Sequence, residues 1–302
     1  MQQKRSILIT GCSSGGAGHA LALEFAAHGL RVFATARSTR SLTELEEKGI
    51  ETLALDVTSA ESIAALKKEI ISRTGGKLDM LFNNAGTLYE APAVESDPRR
   101  VRGMFDANVF GLFDMISAFT PLLLAAVPDS RDPPTIINTA SILARIPYVF
   151  GAAYNATKAA VVSYSDTLRI EVAPLGIKVV TLYMGEVSTG LMVADNISFG
   201  ADSLYSDIEG EVKKRSITHV KSTMKPDEFA RQVVREVLVK KPGPGSGEFV
   251  WKGTNALIIW FLNAFAWRKV FDSIVEGPVG LNNKANRKLI FEKGQSKAKE
   301  VL

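Results

Sequence analysis

Cysteine is nearly missing from this chain: Cys12 stands alone among 302 residues. No disulfide can close within it, and the composition suits a reducing compartment. An excess of one charge is missing too. The net charge is +4, and no Lys/Arg-rich block is interleaved with aromatics, so nucleic acid is not an expected partner. Long apolar runs are scarce, and no window offers the ~18 apolar residues expected of a membrane-spanning helix. The run Ser6-Ile7-Leu8-Ile9-Thr10 behind Met1-Gln2-Gln3-Lys4-Arg5 is too short for the core of a signal peptide and reads as a first strand. Internal repeats and low-complexity tracts are lacking, and no set of metal ligands is assigned.

What is present is an ordinary globular composition, 46% hydrophobic and 23% charged. The length allows one large domain or two small ones. Short apolar runs at 7–10, 31–36, 51–55, 78–83, 135–140, 178–183 and 248–251 read as strands. Most lack alternation, as expected of parallel strands covered on both faces. Amphipathic stretches near 17–28, 40–48, 59–73, 98–126, 152–173 and 226–240 separate them. This repetition predicts a doubly wound α/β fold with a Rossmann-type parallel sheet of about seven strands. Ligands in such sheets bind beyond the carboxyl ends of the strands. A domain at 1–252 is expected, followed by an apolar helix and basic tail at 253–302. Residues 190–222 show no clean period and sit where a lid would be useful. Residues 242–247, Pro-Gly-Pro-Gly-Ser-Gly, read as a turn.

Tyr154 and Lys158 stand four residues apart, so on a helix they share a face. An ammonium beside a phenol favours phenolate and lowers the tyrosine pKa from its usual ~10. Such a tyrosine can give a proton to a carbonyl oxygen or take one from an alcohol. Ser141 ends an apolar run that reads as a buried strand, and its hydroxyl could hold the same oxygen. Alone, Tyr-x-x-x-Lys is also the pattern of an ordinary surface pair.

The first strand runs into Thr10-Gly11-Cys12-Ser13-Ser14-Gly15-Gly16-Ala17-Gly18, and a helix pattern follows at once. Glycines between strand and helix permit a tight turn and let backbone approach a pyrophosphate at the helix N-terminus. Gly11, Ser13, Ser14, Gly16 and Gly18 are therefore candidate cofactor residues. The second strand ends in Arg37. An acidic residue there would bond a ribose 2′-hydroxyl, whereas arginine accommodates a 2′-phosphate, so NADPH is expected over NADH.

With these motifs in order, the chain resembles the short-chain dehydrogenase/reductase family over residues 5–251. Asp56-Val57, Asn83-Asn84-Ala85-Gly86, Asn108, and Gly185 with Thr189 add to the match. The resemblance implies that Asp56 meets the adenine edge, with Val57 in its neighbourhood. Asn83 and Ala85 would flank the adenosine ribose and hold the central sheet, beside Gly86. Asn108 would anchor a water in a proton relay to Lys158, and Lys158 would bind the nicotinamide ribose. Val187 and Thr189 would hold the carboxamide. Two departures stand out. The glycine loop has one extra residue, so either Gly15 or Gly16 could take the middle role. Met184-Gly185 replaces the usual Pro-Gly, which frees φ and restores an N–H, and a looser loop is expected there.

The longer loop with His19-Ala20-Leu21-Ala22, the run from Arg31 to Arg37, and Trp251-Lys252-Gly253-Thr254-Asn255-Ala256 resemble a fungal branch of this family. That branch includes NADPH-dependent 1-acyldihydroxyacetone-phosphate reductases, associated with the endoplasmic reticulum and lipid droplets, and ketone reductases of secondary metabolism. The resemblance implies a cytoplasmic carbonyl reductase for an apolar ketone (a lipid, or a terpenoid or polyketide intermediate), with association to those surfaces. Leu143, Ile146, Tyr148, Val149, Phe150, Leu191, Met192 and Phe199 would make its pocket apolar. Two alternatives stay open: a cofactor-assisted cyclisation, dehydration or isomerisation without net redox, and a non-enzymatic NADPH-binding scaffold. Relatives pair as dimers or tetramers through helices like 98–126 and 152–173. The segment 253–275 carries two tryptophans beside Arg268-Lys269. It suits either a lipid headgroup interface, or packing on the domain, or a cover over the substrate cleft or a dimer partner.

Overall fold

The computed structural model describes residues 4–239 and 248–301. The chain opens β1 Ser6–Ile9, α1 Ala17–Ala27, β2 Arg31–Ala36, α2 Thr43–Glu47, β3 Glu51–Ala54, α3 Ala60–Thr74 and β4 Met80–Asn83. It continues α4 Pro98–Phe105, α5 Gly111–Ala126, β5 Thr135–Ser141, α6 Ala152–Val172, β6 Lys178–Met184, α7 Glu209–Ser222, α8 Pro226–Val239 and β7 Phe249–Lys252. The helices α9 Ala256–Phe265, α10 Asp272–Glu276 and α11 Lys284–Val301 form the C-terminal region.

The seven strands make one parallel sheet, ordered β3-β2-β1-β4-β5-β6-β7. The order reverses between β1 and β4, which opens a crevice at their carboxyl ends. The unbroken apolar runs follow from burial on both faces: Ile7, Leu8 and Ile9 are each fully buried. On one face Leu21 and Phe25 of α1 pack with Phe229 and Val233 of α8. On the other, Ile63 and Leu66 of α3, Met115 and Phe119 of α5, and Val161 of α6 close the core.

The strand and helix expectations hold to within two residues apart from 40–48, where a 3₁₀ turn at Thr39–Leu42 precedes α2, and the structure adds corrections. The stretch 98–126 is not one regular helix, because Asp106–Phe110 winds as a π turn between α4 and α5. Pro98–Asp129 is also long and apolar enough to cross a membrane, contrary to expectation. Half of its most apolar 18-residue stretch is buried as a core helix, which supplies a different reason for its apolar character. Within 190–222 lies the regular helix α7. Its buried side reads Val212, Ser216 and His219, so polar residues occupy positions where a periodic pattern needs apolar ones. The turn expected at 242–247 lies outside the described residues.

The C-terminal region is split in its behaviour. Val279, Leu281 and Ile290 pack with Ile208 and Val212 beside α7. By contrast α9 buries only Ala256 and Ile259, against Ile142 and Trp251.

Candidate active site

The glycine loop fits a dinucleotide by what it leaves out. Gly11 has φ +73°, and a Cβ there would lie 2.7 Å from the Ala85 Cα. A Cβ on Gly18 would lie 2.4 Å from the Gly11 oxygen and 2.5 Å from Asn84 Nδ2. Loop, helix and β4 therefore meet backbone to backbone. Gly15 takes the left-handed turn at φ +73°, and Gly16 caps α1, donating its N–H to Ser13. The extra residue is thus absorbed at Gly15, and Gly16 faces the groove. This groove holds about 660 Å³ and is lined by Gly11, Ser13, Ser14, Gly16, Arg37, Asp56, Val57, Ala85, Gly86, Thr139, Tyr154, Lys158 and Thr189. Asp56 accepts bonds from the Thr58 hydroxyl at 2.7 Å and its N–H at 2.9 Å. Those bonds, with the Arg37 charge nearby, hold the carboxyl below its ordinary range.

Three expected cofactor residues do not line this groove; one of them, Val187, lines the neighbouring apolar cavity. Asn83 is buried under the sheet ends, where its amide donates to Asn138 at 3.0 Å, and it does not line the groove. Its neighbour Asn84 does, and donates to the carbonyls of Thr10 and Gly11 at 2.9 and 3.1 Å. An Asn-Asn doublet carries no sign of which amide faces out. Gly18 lies beneath the loop, not on the groove surface.

At the carboxyl end of β5, Ser141 accepts the Leu143 N–H at 3.1 Å and donates to the Met184 carbonyl at 3.4 Å. The Tyr154 phenol on α6 meets the same hydroxyl. Lys158, one turn on, is buried and donates to the Thr139 carbonyl at 2.8 Å, with Nζ 5.7 Å from the Tyr154 ring centre. Here the expected lowering of the tyrosine pKa is corrected. Burial pushes Tyr154 up to about 12 against the Ser141 bond, and pushes Lys158 down to about 8. Desolvation is the largest influence on both groups. Asn108 sits on the π turn, a deformation common at functional sites. It bonds Thr87 in both directions, at 2.7 and 2.9 Å, and donates to Thr157 at 3.1 Å. Asn108 and Lys158 both flank Gly86.

A second cavity of about 640 Å³ meets the first at Tyr154. Of the residues expected to line it, Leu143, Ile146, Tyr148, Val149, Leu191 and Met192 do so, with Ser141 and Val187. Phe150 and Phe199 are corrected, because they pack against Ile197 and Ile208 instead. A further wall comes from Ile258, Ile259 and Leu262 of α9, with Phe271 and Ile274 beyond it, the cleft-covering placement among those left open for 253–275. Their apolar run was the available signal.

The loop after β6 is braced, not loose. Gly185 donates to the Lys252 carbonyl at 2.7 Å, and Glu186 exchanges two 3.0 Å bonds with Thr254. His219 of α7 reaches the Glu186 carboxylate at 3.1 Å and the Val187 carbonyl at 3.3 Å, and Asn255 donates to Glu186 at 2.6 Å. Cross-links from three elements replace the stiffness that a proline would give.

A parallel sheet with a glycine cradle at its switch point, and a Ser-Tyr-Lys cluster where two cavities join, defines a nucleotide-dependent oxidoreductase. The profile of the short chain dehydrogenase family matches residues 5–197, and the chain belongs to that family. It is similar to the short-chain dehydrogenase virD of Hypocrea virens, at 39% identity over 90% of this chain and 91% of that protein. It is 42% identical to the NADPH-dependent 1-acyldihydroxyacetone phosphate reductase of Schizosaccharomyces pombe, over 63% of this chain and 62% of that one. Among solved structures, a short-chain dehydrogenase from Streptomyces avermitilis superimposes with a TM-score of 0.73 at 26% identity, over 92% of this chain and 99% of that one.

Proposed function

We propose that this protein is an NADPH-dependent carbonyl reductase for an apolar ketone. The observation that carries the reading is the position of Tyr154, which lines both the nucleotide groove and the apolar cavity. A ketone bound in the second cavity meets the phenol on one side and the groove on the other. When bound, the nicotinamide supplies a hydride. Tyr154, protonated at neutral pH, gives its proton to the carbonyl oxygen. Ser141, whose own bond to Met184 is long at 3.4 Å, turns its hydroxyl to that oxygen and steadies the developing charge. Lys158 holds positive charge beside the ribose site, and Asn108 fixes the backbone around it. Arg37 at the groove end supports a 2′-phosphate, and a relative described as NADPH-dependent supports the same choice.

The test is absorbance at 340 nm with a panel of apolar and polar ketones. Loss of one NADPH per alcohol formed, fastest with apolar ketones, is the expected result. Product formation without loss of NADPH would replace this reading by the non-redox one.

A further inference from the structure

We propose that the outer face of α9 docks on a lipid surface, and that the apolar cavity draws its ketone from that surface. The second clause rests on the reductase reading; the first does not. Helix α9 is apolar on every side apart from Asn263. Its inner arc, Ile258, Ile259 and Leu262, lines the cavity. Its outer arc, Leu257, Trp260, Phe261 and Phe265, is 67, 46, 55 and 74% exposed and lines neither of the two cavities. Positions 257, 261 and 265 recur every fourth residue, so they form one stripe. Trp267 continues it at 72% exposure, and Arg268 and Lys269 follow. A helix apolar all round is normally covered on all sides, and a contiguous patch of this kind marks a contact surface.

The cavity decides which surface covers it. Ile258 and Ile274 line the cavity yet are 61 and 58% exposed, so it opens between α9 and α10, beside the stripe. A second copy of this chain seated on the stripe would crowd the mouth. A fluid lipid surface covers the stripe and still leaves the mouth supplied with apolar solutes. Tryptophans followed by a basic pair are the composition of a headgroup boundary, and α9 with its ten residues is too short to span.

The experiment floats the full-length protein with vesicles of phosphatidylcholine, with and without phosphatidylserine. The comparison is the double variant Leu257→Glu/Phe261→Glu, with Leu257→Ser/Phe261→Ser as the uncharged control. We expect the parent to float and both variants to lose flotation about tenfold or more. Turnover of a small soluble ketone and the thermal melt should stay unchanged. A ketone carried in the vesicles should be reduced by the parent and poorly by the variants. Failure of the parent to float with either vesicle, or undiminished flotation of the variants, overturns the docking. A parent that is dimeric by light scattering, does not float, and becomes monomeric in the variants makes a second copy the occupant and also overturns it. Flotation without reduction of any ketone leaves the docking standing and removes the reductase reading. Retained turnover of the vesicle-borne ketone by non-floating variants removes the delivery clause alone.

Discussion

The Lys158 ammonium donates to the Thr139 carbonyl at 2.8 Å, while its nitrogen stays 5.7 Å from the Tyr154 ring centre. One accepting oxygen does not replace the hydration of an ammonium, and burial lowers the lysine to about 8. The site thus holds a cation at a cost to the fold, the kind of trade found where function competes with stability.

Replacing that cation should stabilise the protein without cofactor. Lys158 falls from 10.5 unfolded to about 8 folded. Below pH 8 it is charged in both states, so the burial penalty is fully present. Between 8 and 10.5 the unfolded chain binds more protons, so stability rises with pH and the penalty fades. Lys158→Met should therefore stabilise the fold at pH 7 by about 1–3 kcal/mol, with the gain shrinking by pH 9.5, while turnover is lost. Thermal melts of both proteins at the two pH values check this. A variant less stable at pH 7 would contradict it.

The same ionisation should show in dinucleotide capture. The pH dependence of kcat/KM for NADPH reports groups of the free enzyme. A charged Lys158 favours the negative dinucleotide, so this ratio should fall as pH rises through about 8. Lys158→Arg should move the descending limb upward, since guanidinium stays protonated. An unmoved limb would assign it to another group.

Tyr154→Phe removes a phenolic hydrogen where the two cavities join. A positioned general acid is worth ~10²–10⁴-fold, so kcat should fall by that factor, or roughly 3–5 kcal/mol in the barrier. NADPH affinity, measured by fluorescence titration, should hardly change. Near-parental turnover would take Tyr154 out of the chemistry.

Much of this architecture was legible because burial on both faces writes itself into a strand as an unbroken apolar run. The Tyr154 and Lys158 pair was legible because helix periodicity puts both on one face, and Ser141 because it ends a buried apolar strand. What stayed hidden depends on three-dimensional choices that no local pattern records. Asn83 and Asn84 are chemically identical in sequence, yet the first ends β4 facing Asn138 and the second turns to the glycine loop. The π turn at Asp106–Phe110 leaves no gap in an apolar periodicity. Helix α7 escaped notice because its inner stripe spends positions on Ser216 and His219. The sign of the Tyr154 shift was missed because sequence spacing supplies the charge but not the burial.

Arg37 sits exposed at the carboxyl end of β2, on the rim of the groove, within electrostatic reach of Asp56. Arg37→Asp should replace an anion receptor with a partner for a ribose 2′-hydroxyl. The ratio of kcat/KM for NADPH to that for NADH should invert, with the NADPH value falling about 10–100-fold, as expected for a lost charge-assisted bond worth ~1.5–3 kcal/mol. Steady-state kinetics with both dinucleotides measures it, and an unaltered preference would place the 2′-phosphate elsewhere.

Gly185 explains why the loop after β6 can do without a proline. A Cβ there would lie 2.4 Å from the Thr254 oxygen and 2.9 Å from the Gly253 carbonyl carbon, both backbone atoms. Gly253 itself holds φ +104° at the crossing. The two glycines let the loop and the entry to α9 touch, and that contact carries the paired Glu186–Thr254 bonds. Gly185→Ala must therefore push the two segments apart. Overpacking of this kind costs ~1–3 kcal/mol. It should also raise KM for the ketone, because Glu186 and Val187 line its cavity and Ile258 and Ile259 follow on the displaced segment. Gly210 provides the contrast: it lies in α7 with nothing within 4 Å of its would-be Cβ. Gly210→Ala should stabilise by up to ~1 kcal/mol through helix propensity. Thermal melts of the two variants should move in opposite directions, and a Gly185→Ala protein as stable as the parent would show that the close crossing does not brace the loop.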